Sequence, residues 1–213
     1  MELESYRYIA IEGPIGVGKT SLAARLATLF GAQAIFEQPT ANPFLEAFYR
    51  DAPRHAFQTQ TFFLLQRMAQ LQAPLDPALL AERFVADFML EKNVLFSQLT
   101  LAGDELQLYQ ELHARLRPQV RLPDLVIYLQ APPETLLERI AQRGIGMEEA
   151  ISADYLQRLS ERYSDFFYHY DEAPVLTVNT EHLDPAHSDA DLQVLLQHIE
   201  TMRGMRAFLN QGG

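Results

Sequence analysis

One turn constrains this chain more than any other feature. The strand-like run "YRYIAIE" (6–12) passes through three glycines and a lysine into the helical "TSLAARLATLFG" (20–31), which Gly31 closes as a C-cap. Gly13, Gly18, Lys19 and Thr20 fit G-x-x-x-x-G-K-[ST], the phosphate-binding loop. Glycines reach positive φ and leave room for N–H groups to converge on phosphate oxygens. The following helix adds its positive N-terminal end. The stretch Gly13, Pro14, Ile15, Gly16, Val17, Gly18, Lys19, Thr20 and Ser21 is therefore expected to hold a nucleoside triphosphate with Mg²⁺. Lys19 is expected at the outer phosphates, with the Thr20 hydroxyl placed to ligate the metal. A plain tight turn with a solvated lysine is the competing reading, and the strand before and helix after the turn disfavour it.

The rest of the chain continues the alternation. "AQAIFE" (32–37), "RFVADF" (83–88), "LVIYLQA" (125–131) and "PVLTVNT" (174–180) read as further strands. A helical tract over 43–72 carries Phe44, Phe48, Phe57, Phe62, Leu65 and Met68 as apolar positions and breaks near 51–53. Further helical patterns cover about 91–117, 132–144, 152–170 and 189–208, and the Gln-Gly-Gly tail should fray. Strands separated by helices, without hairpin signals, predict an α/β fold of P-loop NTPase type: a parallel sheet of about five strands with helices on both faces. The proline-bearing "LQAPLDP" (71–77) reads as a loop inside a single domain spanning 1–213.

Composition narrows the function. A formal net charge of -11 repels phosphate backbones, so no nucleic-acid partner is expected. A small phosphorylated ligand is still compatible, because a nest of backbone N–H groups can bind one within an acidic protein. With 0 cysteines there is no disulfide or thiolate metal site, and the six histidines lack metal spacing. Neither a secretory signal nor a run of about 18 apolar residues is found, so no membrane partner and a cytoplasmic location are expected.

Two nucleotide-binding classes remain: a switch that moves loops on hydrolysis, and a small-molecule kinase that passes the phosphoryl group to a bound acceptor. The Asn-Lys-x-Asp signature of guanine-nucleotide switches does not occur. After the glycine turn come, in order, "NPFLEAFY", "FQTQTFFLLQRMAQL", "VADFMLEKNVLFSQLTL", "PDLVIYLQAPPETLLERIAQRG" and "DYLQRL". Together, from about Ser5 to about Thr180, these segments resemble the deoxynucleoside kinase family, in particular its bacterial deoxyguanosine and deoxyadenosine kinases. The resemblance implies transfer of the ATP γ-phosphoryl group to the 5′-hydroxyl of a small-molecule deoxynucleoside, a purine one, with Mg²⁺ and a homodimer.

It also implies roles for single residues. Glu37 matches the general base beside the 5′-hydroxyl, and the carboxyl end of a strand is where open α/β sheets bind ligands. Read without the resemblance, it is a solvated strand-end carboxylate. Tyr49 and Gln60, eleven positions apart, match a sugar-contacting tyrosine and a base-reading glutamine. Arg67 matches an arginine near the base, and its seven-residue offset from Gln60 returns to nearly the same helix face. Phe57 and Phe63 either wall the base or pack in the core. Asp87 matches the acidic residue of an Asp/Glu-Arg-Ser motif that serves Mg²⁺ and the nucleophile. Here "ADFM" lacks the motif's arginine and serine, and Glu82-Arg83 comes too early to replace them.

Arg139 and Arg143 share one helix face and match arginines of a lid (about 139–150) that clamp the transferring phosphoryl group. Ile145 stands where a third lid arginine belongs. Glu148 either contacts the sugar 3′-hydroxyl or is a solvated carboxylate. Two other functions stay open at this level. One is a nucleoside monophosphate kinase, which needs a further arginine cluster. The other is a nucleotide-binding regulatory protein with weak or no kinase activity, a reading motivated by the missing arginines.

Overall fold

The computed structural model describes residues 6–72, 83–148 and 151–210. Residues 73–77 of the proline-bearing stretch, Glu82 and the tail 211–213 lie outside the described residues. Six parallel strands form one sheet in the order β2-β3-β1-β4-β5-β6, from β1 (Tyr8–Glu12), β2 (Gln33–Ile35), β3 (Phe84–Ala86), β4 (Leu125–Gln130), β5 (Val175–Asn179) and β6 (Arg206–Leu209). Between them run α1 (Lys19–Phe30), α2 (Leu45–Arg50), α3 (Ala52–Gln72), α4 (Lys92–Thr100), α5 (Gly103–Leu116), α6 (Pro133–Arg143), α7 (Ala153–His169) and α8 (Asp189–Thr201). Among the described residues no helix is long and apolar enough to cross a membrane.

The central strands β1, β3 and β4 are largely apolar because both faces are covered. Successive side chains alternate between two packed layers. Tyr8, Ala10, Val126 and Tyr128 enter one core with Leu64 and Met68 of α3 and Tyr163 and Phe167 of α7. Ile9, Ile11, Leu125 and Ile127 enter the other with Leu22 and Leu26 of α1 and Leu195 and Ile199 of α8.

Three sequence expectations need correction. The pattern over 91–117 is two helices, interrupted at Leu101 and Ala102. In α3 the buried stripe includes Phe63, Leu64, Met68 and Leu71, while Leu65 is 56% exposed, one position off the expected face. The last helix stops at Thr201 rather than near 208. Gly204 turns the chain with φ +84, the Val175 N–H donates to the Met205 carbonyl at 2.9 Å, and β6 becomes a sixth strand on the sheet edge.

The order places β1 between β3 and β4, so the chain leaves the central strand toward opposite sides of the sheet. At such a switch point the carboxyl ends of the strands diverge and leave a crevice. The glycine turn fills the floor of this crevice. A Cβ on Gly13 (φ +145) would sit 2.3 Å from the Leu129 carbonyl oxygen of β4. One on Gly16 (φ +86) would sit 2.9 Å from the Leu136 carbonyl oxygen of α6.

Substitution should separate close approach from φ strain alone. Gly13→Ala should cost about 2–6 kcal/mol, since overpacking against backbone adds to strain. Gly31→Ala (φ +58), with nothing within 4 Å, should cost only about 1–2 kcal/mol. Urea unfolding monitored by circular dichroism checks the ordering.

Candidate active site

Two compartments meet over the start of α1. On one side lies an open cup of about 1000 Å³ counting its mouth, lined by the turn from Gly16 to Ser21, by Arg139 and Arg143 of α6, and by Asp184 and His187. On the other lies a deeper cavity of about 880 Å³ counting its open mouth, within the range of small-molecule sites. Gly16, Lys19, Thr20 and Arg143 line both.

The Lys19 ammonium donates to the Gly13 carbonyl at 2.8 Å and the Pro14 carbonyl at 2.9 Å, which splints the turn. Burial, and next the Lys92 ammonium, lower its pKa to about 8. The Thr20 hydroxyl donates to Asp87 Oδ2 at 2.5 Å. The other Asp87 oxygen accepts the Glu37 backbone N–H at 2.7 Å. One carboxylate beyond β3 thus ties the first turn of α1 to the segment after β2. A hydroxyl and a carboxylate side by side are an all-oxygen donor set of the kind Mg²⁺ takes, so these residues fit the metal that a triphosphate carries.

Glu37 is the most heavily engaged side chain of the cavity. Arg67 of α3 donates to Oε1 through Nε at 2.8 Å and through Nη2, and Lys92 donates to Oε2 at 2.7 Å. Burial pushes Glu37 up, but the Arg67 and Lys92 charges outweigh it and hold the carboxylate well below the usual range. Arg67 is itself fixed by Asn93 Oδ1 and by Phe63, whose ring centroid lies 4.9 Å from the guanidinium carbon. Beneath them Glu12, 1% exposed, accepts from the Gly13 N–H at 3.1 Å, the Met89 N–H at 2.8 Å and the Tyr163 hydroxyl at 2.9 Å.

Of the residues expected from sequence, Tyr49, Gln60, Phe63, Arg67, Asp87, Glu37 and Glu148 gather around the deeper cavity, together with Ile15. Phe57 does not line it and packs half-buried against the core. Val17 and Ser21 line the cup. Arg143 pairs with Glu148 across the cavity mouth, whereas Arg139 is turned to Thr180, donating to its hydroxyl at 3.0 Å and its carbonyl at 2.7 Å. Sequence reasoning missed Lys92, Glu12, Asn93 and Tyr163. For Lys92 one signal was available: it is a lone lysine inside "FVADFMLEKNVLF", a run otherwise dominated by apolar residues.

With this geometry established, comparison with known proteins is decisive. Residues 9–202 match the family model for deoxynucleoside kinase. The chain belongs to the deoxynucleoside kinase family. It is 35% identical over 200 residues to a deoxyguanosine kinase of Bacillus subtilis, covering 92% of this chain and 97% of the relative. It is 30% identical over 210 residues to a deoxyadenosine kinase of Lactobacillus acidophilus, covering 92% and 96%. A solved deoxyadenosine kinase from M. mycoides with bound dATP superposes with a TM-score of 0.77 over 91% of this chain and 100% of that one. At 23% identity that likeness concerns the fold of the kinase.

The carboxylate at the centre of this kinase's cavity also carries stability. Glu37→Gln leaves Arg67 and Lys92, 3% and 5% exposed, without their anion. The loss should be about 3 kcal/mol, a fall in Tm of roughly 6–12 °C. Because the folded pKa is depressed, the wild-type contribution is present above about pH 4.5 and is lost as pH falls through the folded value. Thermal melts of both proteins across acidic pH should therefore converge downward.

Proposed function

We propose that this deoxynucleoside kinase transfers the γ-phosphoryl group of ATP to the 5′-hydroxyl of a purine deoxynucleoside. The observation that carries the reading is the junction at Lys19 and Thr20, where a phosphate cup opens directly into a nucleoside-sized cavity with a carboxylate on its acceptor side. The relatives named for deoxyguanosine and deoxyadenosine support a purine acceptor.

Each group has a task under this reading. The turn amides and Lys19 cradle the phosphates of ATP, and Arg143 faces the group in transit from the shared wall. Thr20 and Asp87 hold Mg²⁺, which when bound neutralises phosphate charge. Gln60 offers a carboxamide, donor and acceptor together, to the edge of the base, with Arg67 and Phe63 beside it. Tyr49 and Glu148 flank the sugar.

Glu37 accepts a hydrogen bond from the 5′-hydroxyl and aims its oxygen along the line of attack. A carboxylate this strongly stabilised as an anion is a weak base. Phosphoryl transfer through a loose transition state asks little of a base and much of alignment, so orientation is its main contribution. The working unit is a homodimer in the cytoplasm, with the dimer to be checked by light scattering.

Product formation from ATP and Mg²⁺ with a panel of deoxynucleosides and their monophosphates tests the reading. Deoxyadenosine or deoxyguanosine should turn over with a higher kcat/KM than thymidine or deoxycytidine, and Glu37→Ala should lose about 10²-fold or more. With saturating MgATP, log kcat/KM for the nucleoside should be flat on Glu37's account between about pH 5.5 and 7. Turnover on monophosphates alone would point to a monophosphate kinase, and ATP binding without turnover to a regulatory protein. Either result overturns the reading.

A further inference from the structure

Lys92 stands in a position that stability alone does not explain. It is the first residue of α4, where the positive end of the helix disfavours a cation. It is 5% exposed, so its ammonium has given up most of its water. It also shares its cavity wall with a second cation, Lys19. Three unfavourable effects thus converge on one side chain.

The same side chain lines the deeper cavity together with Glu37 and Asp87 and with Lys19 and Thr20, which also line the cup. Its ammonium donates to Glu37 Oε2 at 2.7 Å, while Arg67 donates to Oε1. Arg67 alone would let the carboxylate pivot about its last torsion. A second cation on the other oxygen fixes the plane.

We propose that Lys92 is a positioning residue for phosphoryl transfer: from the first position of α4 it locks the orientation of the Glu37 carboxylate and sets a positive charge beside it. The proposal rests on the kinase reading above. The three unfavourable effects are then intelligible, because an arriving triphosphate converts the repulsion between Lys19 and Lys92 into shared attraction for its charge. A misaligned acceptor costs rate rather than substrate affinity, so the signature is a fall in kcat with KM for both substrates nearly unchanged.

The chain has 0 cysteines, which permits a selective test. Lys92→Cys should fold and lose about 10²-fold in kcat, with each KM within about threefold of wild type. Alkylation with 2-bromoethylamine, which rebuilds an ammonium at nearly the original length, should restore at least about tenfold, whereas iodoacetamide, which adds a neutral group, should restore nothing. Where the cysteine variant does not fold, Lys92→Met, with its unbranched apolar stem, carries the same expectation for kcat and KM. A folded variant whose kcat stays within about threefold of wild type, or equal restoration by both reagents, overturns the proposal while wild-type turnover leaves the kinase reading intact. Absence of wild-type turnover on every deoxynucleoside overturns both.

Discussion

The Asp87 carboxylate is the joint on which the rest of the site depends. It accepts the Thr20 hydroxyl with one oxygen and the Glu37 backbone N–H with the other. Those partners lie on opposite sides of β3, at the start of α1 and in the segment that bears Glu37. A buried anion satisfied at both oxygens by short, charge-assisted hydrogen bonds cannot drift from either. The glycine turn and the Glu37 segment are therefore referenced to a single point at the end of one strand, and the parallel sheet holds that point still.

Around the joint the chain concentrates charge of the sign it otherwise lacks. The molecule carries a formal charge of -11, yet Lys19, Arg67, Lys92 and Arg143 all line the deeper cavity. Glu37 is the counterion that lets two of them stay buried, and its depressed pKa records how strongly it is held. Glu12 plays a quieter part below, taking N–H groups from the glycine turn and from the segment after β3 and the phenol of Tyr163. The two carboxylates differ in consequence. Burial pushes Glu12 up, whereas paired cations pull Glu37 down.

Much of this was legible in the sequence, for identifiable reasons. β1 and β4 are short apolar runs next to prolines or the glycine turn, continuous rather than alternating because both faces are covered. β6 was not legible: Arg206 to Leu209 has too few residues to show a period, and only the turn at Gly204 separates it from α8. Glu37 and Asp87 could be found through the family resemblance; without it Glu37 reads as a solvated strand-end carboxylate. Lys92 left only the signal of a lone lysine in an apolar run, since its meaning depends on α4 beginning beside Glu37, 55 positions earlier in the chain. Phe57 and Phe63 share an aromatic ring but not a direction, and six positions on a helix turn them onto different faces.

The close fit of Gly13 against β4 and Gly16 against α6 has a consequence for how the turn works. Its shape is cast by its scaffold, so little ordering is left for the moment a guest arrives. The conformation of the turn is then inherited from the packing of Leu129, Leu136 and Ile140, none of which belongs to the glycine motif. A methyl's worth of displacement in that scaffold would retune the mould with every residue of the motif untouched.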